Sequence, residues 1–437
     1  MSTPLRVGIA GLGTVGSAVV RRLASEGERL ALRTGRPITV AAVSTRTRAR
    51  AEGLPLGPAR WVDDPALLAA DAGIDLFVEV IGGDEGVARA CVEAALRTGK
   101  TVVTANKALL ARHGAALAAL AERHGGSLAF EASVAGGIPV IKTLREGLAG
   151  NVVGRIEGIL NGTCNYILTR MGEEKLDFGH CLAEAQRLGY AEADPSFDVD
   201  GHDTAHKLAL LASLAFGVVP DVSGFTVEGI RDITPADLSA ADELGYRIKL
   251  LGIASQVDGR VDGRVMPTMV PKASPLAQVS GVLNAVTLFG DAVGALTLVG
   301  PGAGGDATAS AVVADIADAA RGPMGLAFGQ PAATLIAAAP LTADQQVSAY
   351  YLRLSLRDRP GSVAAVATRM AEQGISFESI VQRHPASVGN GNSDEAVAVV
   401  LVTYETVRGQ LDKALDAVQA DGTLLDRPQV IGLDRRT

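Results

Sequence analysis

The glycine pattern GLGTVG constrains the fold of this chain more than any other sequence feature. Its glycines, Gly11, Gly13 and Gly16, stand between a short apolar segment and a long amphipathic one. In a strand-turn-helix unit the first glycine permits the tight turn, the second lets the backbone approach a pyrophosphate, and the third allows close helix packing. The phosphates then lie at a helix N-terminus, where backbone N–H groups can bind anions. This context predicts a dinucleotide-binding fold.

The first 137 residues continue this unit by alternating short apolar strands with amphipathic helices. Such alternation predicts an α/β fold with a doubly wound parallel sheet covered on both faces. The predicted strands are Arg6–Ala10, Ile38–Val43, Ile74–Val80, Thr101–Thr104 and Ser127–Glu131, and the predicted helices are Val15–Leu30, Gly86–Thr98 and Lys107–His124. We therefore assign residues 1–137 to a Rossmann-type domain.

The strict alternation ends near residue 138, which predicts a second domain of mixed α+β structure over residues 138–321. Its predicted elements are a helix at Ile138–Leu148 and strands at Val153–Leu160, Ile248–Gln256, Arg264–Met269 and Ala295–Val299. The alanine-rich residues 303–321 predict a long helix that packs back on the first domain. Residues 322–347 combine Pro, Gly, Ala and Gln with few charges, which is typical of a linker.

Residues 348–437 predict a third, smaller domain. Their pattern has the order β, α, β, β, α, β, which is that of a ferredoxin-like module. The predicted elements are Tyr350–Leu356, Ser362–Gln373, Ile375–Gln382, Ala396–Tyr404, Thr406–Gln419 and Gln429–Leu433. A long polar segment, HPASVGNGNSD, separates the second and third strands.

Charge, cysteine usage and hydropathy exclude several classes of protein. The 437-residue chain has a net charge of −8 and no basic block, so nucleic acid is not an expected partner. Cys91, Cys164 and Cys181 lack a CxxC spacing, which is typical of reduced thiols in a cytoplasmic protein. The longest apolar run, Leu208–Pro220, is shorter than the roughly 20 residues of a membrane span. MSTPLR leads directly into a predicted strand, so we expect neither a signal peptide nor a membrane partner.

The end of the second predicted strand bears on the choice of dinucleotide. VSTRTRAR places Arg46 and Arg48 where an acidic residue would bind the ribose 2′-hydroxyl of NAD. Arginine at this position can instead bind a 2′-phosphate. We therefore expect NADP(H) as the preferred cofactor and NAD(H) as the alternative, although a solvated basic turn has the same sequence pattern.

Residues 189–207, GYAEADPSFDVDGHDTAHK, place several carboxylates just before a lysine and an apolar segment. Asp203 and Lys207 are four residues apart, so a helix that begins near Gly201 brings them to one face. Tyr190 and Glu192 lie in the preceding loop. Charges at the mouth of an apolar segment indicate a polar ligand site, because unpaired charges are costly in a packed interior. The alternative is a solvated ion pair worth about 0.3–0.5 kcal/mol.

Two further segments follow predicted strands of the first domain, at the edge where open α/β sheets bind ligands. TANK, residues 104–107, places Asn106 and Lys107 there. Lys107 can bind the cofactor or a substrate carboxylate, unless it is a surface lysine at a helix start. EASVAGGIPV, residues 131–140, ends its strand in small residues that expose backbone carbonyls. These carbonyls and one carboxylate can coordinate a hard cation, although an ordinary turn is the simpler interpretation.

LNGTCNYI, residues 160–167, closes a strand of the second domain with polar groups. Asn161, Gly162 and Thr163 can supply amide and hydroxyl hydrogen bonds to a small polar substrate. Cys164 is a candidate nucleophile, but a reactive thiolate needs an adjacent base or positive charge, and no histidine is near it in sequence.

GPGAGGDATAS, residues 300–310, is a second glycine-rich turn between a strand and a helix. One interpretation is that it closes over the cofactor from the other side, with Gly302 and Gly304 as contacts. The other is ordinary turn and capping chemistry, for which Asp306 and Thr308 are suited.

In the order in which these motifs occur, the chain resembles homoserine dehydrogenases over essentially its whole length, in the form with a C-terminal ACT domain. The resemblance rests on GLGTVG, TANK, FEASVAGGIP, LNGTCNYI and above all LGYAEADPSFDVDGHDTAHK. The ACT part rests on YLRLSLRDRPGSVAAVATRMAEQGISFESI, where Asp358, Pro360 and Gly361 fall at the first strand-to-helix turn. It implies NAD(P)H-dependent interconversion of L-aspartate 4-semialdehyde and L-homoserine, on the route to threonine and methionine.

The resemblance also implies residue roles. Lys207 matches the catalytic lysine, proposed as the proton donor to the carbonyl oxygen, and Lys107 matches a lysine at the cofactor and substrate. Glu192 and Asp203 match the substrate-binding carboxylates. The dinucleotide contacts match Thr14, Val15, Gly189 and a glycine near Gly304. A metal site, usually taken as sodium, matches Glu131, Val134, Gly136 and Ile138, of which the last three would bind through backbone carbonyls.

At the level of the whole molecule the resemblance implies feedback control by threonine through the ACT domain. It also implies a homodimer or homotetramer, assembled through the sheet of the middle domain. Two other functions stay open. One is a thiol-dependent aldehyde dehydrogenase that uses Cys164, and the other is a non-enzymatic regulator that binds a nucleotide and an amino acid.

Overall fold

The computed structural model describes residues 3–383 and 396–435, and its first sheet is built from six parallel strands. The strands are β1 (Leu5–Ala10), β2 (Ile38–Ser44), β3 (Arg60–Trp61), β4 (Leu76–Glu79), β5 (Thr101–Thr104) and β6 (Ser127–Ala129). Their order in the sheet is β3-β2-β1-β4-β5-β6. Because the order reverses between β1 and β4, a ligand crevice opens at the carboxyl ends of these two strands. The predicted Rossmann-type sheet is confirmed.

Helices cover both faces of this sheet. They are α1 (Thr14–Ser25), α2 (Gly27–Thr34), α3 (Pro65–Ala70), α4 (Val87–Arg97) and α5 (Lys107–His124). The single helix predicted for Val15–Leu30 is in fact two helices, which meet at Glu26, a residue outside helical geometry. The last strand is shorter than predicted, because Glu131 begins a 3-10 turn after β6.

The second domain combines long antiparallel strands with helices on one face. Its elements are α6 (Val140–Lys142), β7 (Val153–Ile159), α7 (Gly162–Glu174), α8 (Phe178–Arg187), α9 (Ser196–Val199), α10 (His202–Phe216), β8 (Thr226–Val227), α11 (Pro235–Glu243), β9 (Tyr246–Val257), β10 (Arg260–Pro271), β11 (Leu283–Gly290), β12 (Gly294–Pro301) and α12 (Gly305–Arg321). β11 pairs with β12 on one side and with β7 on the other, both antiparallel.

One predicted helix of the second domain differs in the structure, and another, α12, connects the two domains. The helix predicted for Ile138–Leu148 is the single turn α6 followed by a wider turn over Thr143–Gly147. Helix α12 lies against the first domain, where Val312 and Ile316 share a buried core with Val7, Ile9 and Val19. The apolar side chains of α12 thus fill a face of the Rossmann sheet from outside its own stretch of sequence.

The C-terminal module contains β13 (Val347–Arg357), α13 (Ser362–Glu372), β14 (Phe377–Arg383), β15 (Ala396–Thr403), β16 (Thr406–Val407), α14 (Arg408–Ala420) and β17 (Gln429–Leu433). Its strands have the order β17-β13-β15-β14, and all neighbours are antiparallel, as in a ferredoxin-like sheet. The polar segment HPASVGNGNSD, predicted as a long connection, lies outside the described residues.

The second domain and the C-terminal module share one sheet. β17 pairs in parallel with β10 through Thr268 and Met269, opposite Gly432 and Leu433. The combined sheet has eleven strands, and its main path runs β12-β11-β7-β9-β10-β17-β13-β15-β14. Over residues 3–383 and 396–435, no helix combines the length and apolar character that crossing a membrane requires.

Candidate active site

The candidate active site is centred on Asp203, a buried carboxylate in the first turn of α10. Lys207 lies one helical turn later, and its Nζ donates to Asp203 Oδ2 (2.7 Å) and to the Leu160 carbonyl (2.6 Å). The Nζ of Lys107, from the first domain, lies 3.1 Å from Asp203 Oδ1. One carboxylate therefore joins two lysines that the sequence places a hundred residues apart, and the predicted one-face arrangement of Asp203 and Lys207 is present.

Lys107 reaches this position because of the turn after β5. It is the first residue of α5, and Asn106 caps the helix by accepting the N–H of Leu109 (3.2 Å). Glu79, a buried carboxylate at the end of β4, stabilises this turn by accepting a hydrogen bond from the Thr104 hydroxyl (2.6 Å). Glu79 was not predicted from the sequence, although an acidic residue at the end of an apolar strand is a recognisable signal.

Asn161 connects the Asp203 cluster to the turn after β7. Its side-chain oxygen caps α7 by accepting the N–H of Cys164 (2.8 Å). Its amide donates to Asp203 Oδ2 (2.9 Å) and to Asp198 Oδ1 (2.8 Å). Asp198 was also missed by the sequence analysis, because nothing in its spacing separates it from the other carboxylates in the segment.

The two carboxylates around Asn161 are in different electrostatic states. Burial alone would raise the pKa of Asp203, but the charges of Lys207 and Lys107, with hydrogen bonds from Lys207 and Asn161, hold it below the usual range. Burial dominates at Asp198 and raises the pKa of its carboxyl. Asp203 is thus a firmly ionised anchor for two ammonium groups, and a second carboxylate stands beside it.

The loop that precedes α10 contacts the site mainly through its backbone. The Thr163 hydroxyl donates to the Tyr190 carbonyl (2.6 Å), and the Tyr190 ring meets Tyr166 edge to face at 5.0 Å. Glu192 is exposed, and within the described part of the chain its carboxylate has no ion pair. Gly189 is exposed as well. Thr163 thus contacts the main chain of the loop, whereas the side chain of Glu192 is exposed to solvent.

Cys164 is in the wrong environment for a nucleophile. Its side chain is fully buried, and its thiol donates a hydrogen bond to the Asp198 carbonyl (3.3 Å). Burial, reinforced by the charges of Asp198 and Asp203, raises the pKa of this thiol well above its ordinary value. Because nucleophilic attack needs the thiolate, the geometry argues against a thiol-dependent mechanism.

An open, shallow pocket of about 570 Å³ lies at the N-terminus of α1, lined among others by Gly13, Thr14 and Gly305. Two glycines of GLGTVG are required here, since a Cβ at Gly11 would lie 2.4 Å from the Val80 carbonyl oxygen and a Cβ at Gly16 would lie 1.9 Å from the Gly11 carbonyl oxygen. The second glycine-rich turn closes against the first, because a Cβ at Gly305 would come within 3.1 Å of Thr14. The two turns thus form one cradle of backbone groups, which suits a dinucleotide pyrophosphate.

The arginines after β2 have separate positions around this cradle. Arg46 is exposed at the end of the strand, and the guanidinium of Arg48 lies over the Trp61 ring, 5.1 Å from its centroid. Arg50, which the sequence analysis did not single out, lines the cavity beside Gly13. Of these three arginines, Arg50 is the one that brings its positive charge to the lining of this pocket.

The turn after β6, residues 131–138, has unusual backbone geometry. Ala135 and Gly136 are both left-handed, with φ of 54° and 52°, and Gly136 presses against the Gly302 carbonyl. The Glu131 carboxylate is not directed to this turn, because it accepts the N–H groups of Ile141 and Lys142, both at 2.9 Å. In residues 3–383 and 396–435 there is no cluster of three His, Cys, Asp or Glu side chains suited to a metal.

Comparison with known proteins gives consistent matches along the chain. A sequence model of the family "Homoserine dehydrogenase" matches residues 139–317, and one described as "Homoserine dehydrogenase, NAD binding domain" matches residues 11–131. A homoserine dehydrogenase of Pseudomonas aeruginosa is 44% identical over 425 residues, which cover 95% of this chain and 96% of that protein.

Solved structures give the same result. A homoserine dehydrogenase from Thiobacillus denitrificans superposes with a TM-score of 0.93 at 40% identity, and the match covers 99% of both chains. A hyperthermophilic archaeal homoserine dehydrogenase in complex with NADPH superposes with a TM-score of 0.62 at 29% identity. That match covers 72% of this chain and 97% of the archaeal one.

Proposed function

Because this chain belongs to the homoserine dehydrogenase family, we propose that it interconverts L-aspartate 4-semialdehyde and L-homoserine at the cluster formed by Lys107, Asp203 and Lys207. The observation that carries this proposal is the bridge that Asp203 makes between the two lysines at the mouth of the dinucleotide crevice. Reduction of an aldehyde needs a hydride at carbon and a proton at oxygen, and the cluster offers the proton beside the place where the cofactor would lie.

Lys207 is the group that we assign to the proton transfer. Its ammonium is fixed by two hydrogen bonds, to Asp203 and to the Leu160 carbonyl, so one N–H remains for a substrate oxygen. In the reduction this N–H gives its proton to the carbonyl oxygen as that oxygen gains negative charge. In the oxidation of homoserine the neutral amine takes the hydroxyl proton back.

The charges of the substrate have complementary partners in the same place. We assign the substrate carboxylate to Lys107 and the substrate ammonium to Glu192 and Asp203. Gly162, Thr163 and Tyr190 would form the wall of this pocket, since Thr163 already ties the turn after β7 to the loop at Tyr190. Glu192 must turn inward to contact a substrate, because its side chain is exposed.

We propose NADP(H) as the preferred cofactor, which when bound supplies or accepts the hydride. The cradle formed by Gly11, Gly13, Gly16 and the turn at Gly302 and Gly304 would hold the pyrophosphate, with Thr14, Val15 and Gly189 as further contacts. Arg46 would bind the 2′-phosphate, and Arg50 beside Gly13 would bind the pyrophosphate. The NADPH bound in the archaeal relative supports this choice.

We further propose that the turn at residues 131–138 binds a monovalent cation such as sodium. Ala135 has a left-handed φ of 54°, a conformation that non-glycine residues rarely adopt and that is found most often at functional turns. Because the Glu131 carboxylate caps α6, Glu131 would contribute its backbone carbonyl, together with those of Val134, Gly136 and Ile138. A ligand set without a free carboxylate suits a single positive charge.

For the C-terminal module we propose the role of an ACT domain that lets threonine inhibit the enzyme. Its ferredoxin-like sheet supports this assignment, and residues 1–137, 138–321, 322–347 and 348–437 remain our division of the chain. Initial rates of the full-length protein should fall when L-threonine is added at millimolar concentration, whereas D-threonine should have no effect. Equal rates with both isomers would contradict the assignment.

The oligomer that we propose is a homodimer or homotetramer formed through the sheet of the second domain. The outer strand β12 and the turn before it expose apolar side chains, Val299 and Val293, which a partner would cover.

Turnover of homoserine is the direct test of the proposed function. The purified protein should reduce NADP⁺ in the presence of L-homoserine, and D-homoserine should serve as the negative control. Acid formation from the semialdehyde, lost in Cys164→Ser, would instead support the thiol-dependent alternative. Binding of nucleotide without any turnover would support a regulator.

A further inference from the structure

Asn284 occupies the start of β11, between the two turns that form the proposed site. In the sheet, β11 lies between β12 and β7 and runs opposite to both. β12 ends at Pro301 and leads into the glycine-rich turn at Gly302, while β7 ends at Ile159 and leads into the turn at Gly162. The first residues of β11 are therefore flanked by the cofactor turn on one side and by the substrate turn on the other.

The side chain of Asn284 fits closely between these turns. A Cβ at Gly302 would lie 2.0 Å from Asn284 Cγ, so only glycine leaves room for the amide there. On the other side, a Cβ at Gly162 would come within 3.6 Å of Asn284 Oδ1. The amide group thus fills the space between two turns, one proposed to bind the cofactor and the other the substrate.

The amide of Asn284 is buried without a partner. The residue is only 1% exposed, and within residues 3–383 and 396–435 neither its oxygen nor its nitrogen has a hydrogen-bond partner. Leaving both ends of a buried amide unpaired typically costs a few kcal/mol relative to an apolar group of the same shape. A neighbouring buried amide, Asn165, is by contrast fully engaged with Val279, Leu283 and Lys249.

We propose that Asn284 is a positioning residue that couples cofactor binding to substrate binding. Its amide, which has no partner among the described residues, would gain hydrogen bonds to the backbone of the two turns when cofactor and substrate bind. Binding of the first ligand includes the free-energy cost of ordering the two turns, so the second ligand binds with higher affinity. This inference rests on the proposed function for the identity of the two ligands.

The test compares Asn284→Leu, which keeps the branched shape and removes the amide, with Asn165→Leu as a matched control. In the ligand-free state Asn284→Leu should raise the Tm by about 2–4 °C, since it removes an unpaired polar group. Asn165→Leu should lower the Tm, because it leaves several partners unsatisfied. At the same time Asn284→Leu should lower kcat/KM for homoserine about tenfold.

Coupling is measured by NADPH fluorescence titration in the absence and presence of saturating L-homoserine, a pair that cannot react. Homoserine should tighten NADPH binding several-fold in the wild type and leave it nearly unchanged in Asn284→Leu. If Asn284→Leu does not fold, Asn284→Ala gives the same comparison.

Two results would overturn the proposal. One is a Tm that falls as in Asn165→Leu while kcat and KM stay at wild-type values, and the other is equal coupling in the wild type and the variant. A wild-type protein without turnover would count against the proposed function alone, because the Tm and the titrations still decide the role of Asn284.

Discussion

At the scale of single residues, the site depends on Asp203, whose two carboxylate oxygens bind different partners. One oxygen faces Lys107 from the first domain, and the other holds Lys207 and Asn161 from the second. Removal of one lysine leaves the carboxylate with another cation and an amide, so the fold should tolerate the change. The chemistry should not tolerate the loss of Lys207, because its ammonium is held by two hydrogen bonds and keeps one N–H for the substrate.

Lys207→Ala is therefore expected to lower kcat by about 10²–10⁴-fold, the range for loss of a positioned acid-base group. Initial rates with homoserine and NADP⁺ measure this effect. Lys272→Ala is the control, since Lys272 pairs with Asp242 away from the site. If Lys207→Ala retained most of the wild-type kcat while Lys272→Ala behaved normally, the proton would have to come from another group.

Sequence alone pointed to Lys107, Asp203 and Lys207, which the structure brings together. Helical spacing places Asp203 and Lys207 on one face, and Lys107 follows a strand at the ligand-binding edge of the sheet. The sequence did not identify Glu79 or Asp198, since both act through contacts with Thr104 and Asn161 that only the tertiary fold creates. It also gave no sign that the start of α6 provides two N–H groups that engage the Glu131 carboxylate. Long-range pairing of this kind leaves no periodic signal in the chain.

At the scale of elements, the turn after β2 separates three arginines that look equivalent in the sequence. Arg48 stacks on Trp61, Arg50 reaches Gly13, and Arg46 stays exposed at the strand end. The strand itself was predicted from its apolar residues. The short 3-10 segment Arg48–Ala51 that turns these side chains apart was not, because such turns depend on what the chain packs against.

This separation gives a prediction about cofactor choice. Arg46→Ala should raise KM for NADP⁺ about tenfold and leave KM for NAD⁺ unchanged, because a 2′-phosphate contact is lost. Arg50→Ala should raise both values together, since the pyrophosphate is common to the two cofactors. Steady-state kinetics with each cofactor distinguish these cases, with Arg48→Ala as the control. An equal effect of Arg46→Ala on both cofactors would remove Arg46 from the 2′-phosphate site.

At the scale of the whole molecule, the second domain and the C-terminal module meet at a buried acidic pair. Glu157 on β7 is ion-paired with Arg155 (2.5 Å), and Asp434, just after β17, is its acidic neighbour. Burial raises the pKa of Glu157 to about 7, Arg155 opposes the shift, and Asp434 adds to it. The order of strands along this sheet could not be predicted from sequence, because it joins residues far apart in the chain.

The raised pKa of Glu157 makes this contact sensitive to pH. A carboxyl whose folded pKa lies above its unfolded value of 4.5 contributes stability that is complete below pH 4.5 and is lost as pH rises through 7. Glu157→Gln cannot ionise, so its Tm relative to the wild type should increase between pH 5 and pH 8, by about 2–4 °C. Thermal unfolding across this range, with the exposed Glu146→Gln as control, measures it. Parallel Tm profiles for all three proteins would refute the assignment.

The pairing of β17 with β10 also bears on how the chain avoids aggregation. Strand edges present unpaired N–H and C=O groups to any extended segment nearby, and such edges are common starting points for aggregation. Here the last strand of the polypeptide covers the backbone at Thr268 and Met269. A protein shortened before β13 would uncover that edge, so loss of the C-terminal module should reduce solubility even where the active site remains intact.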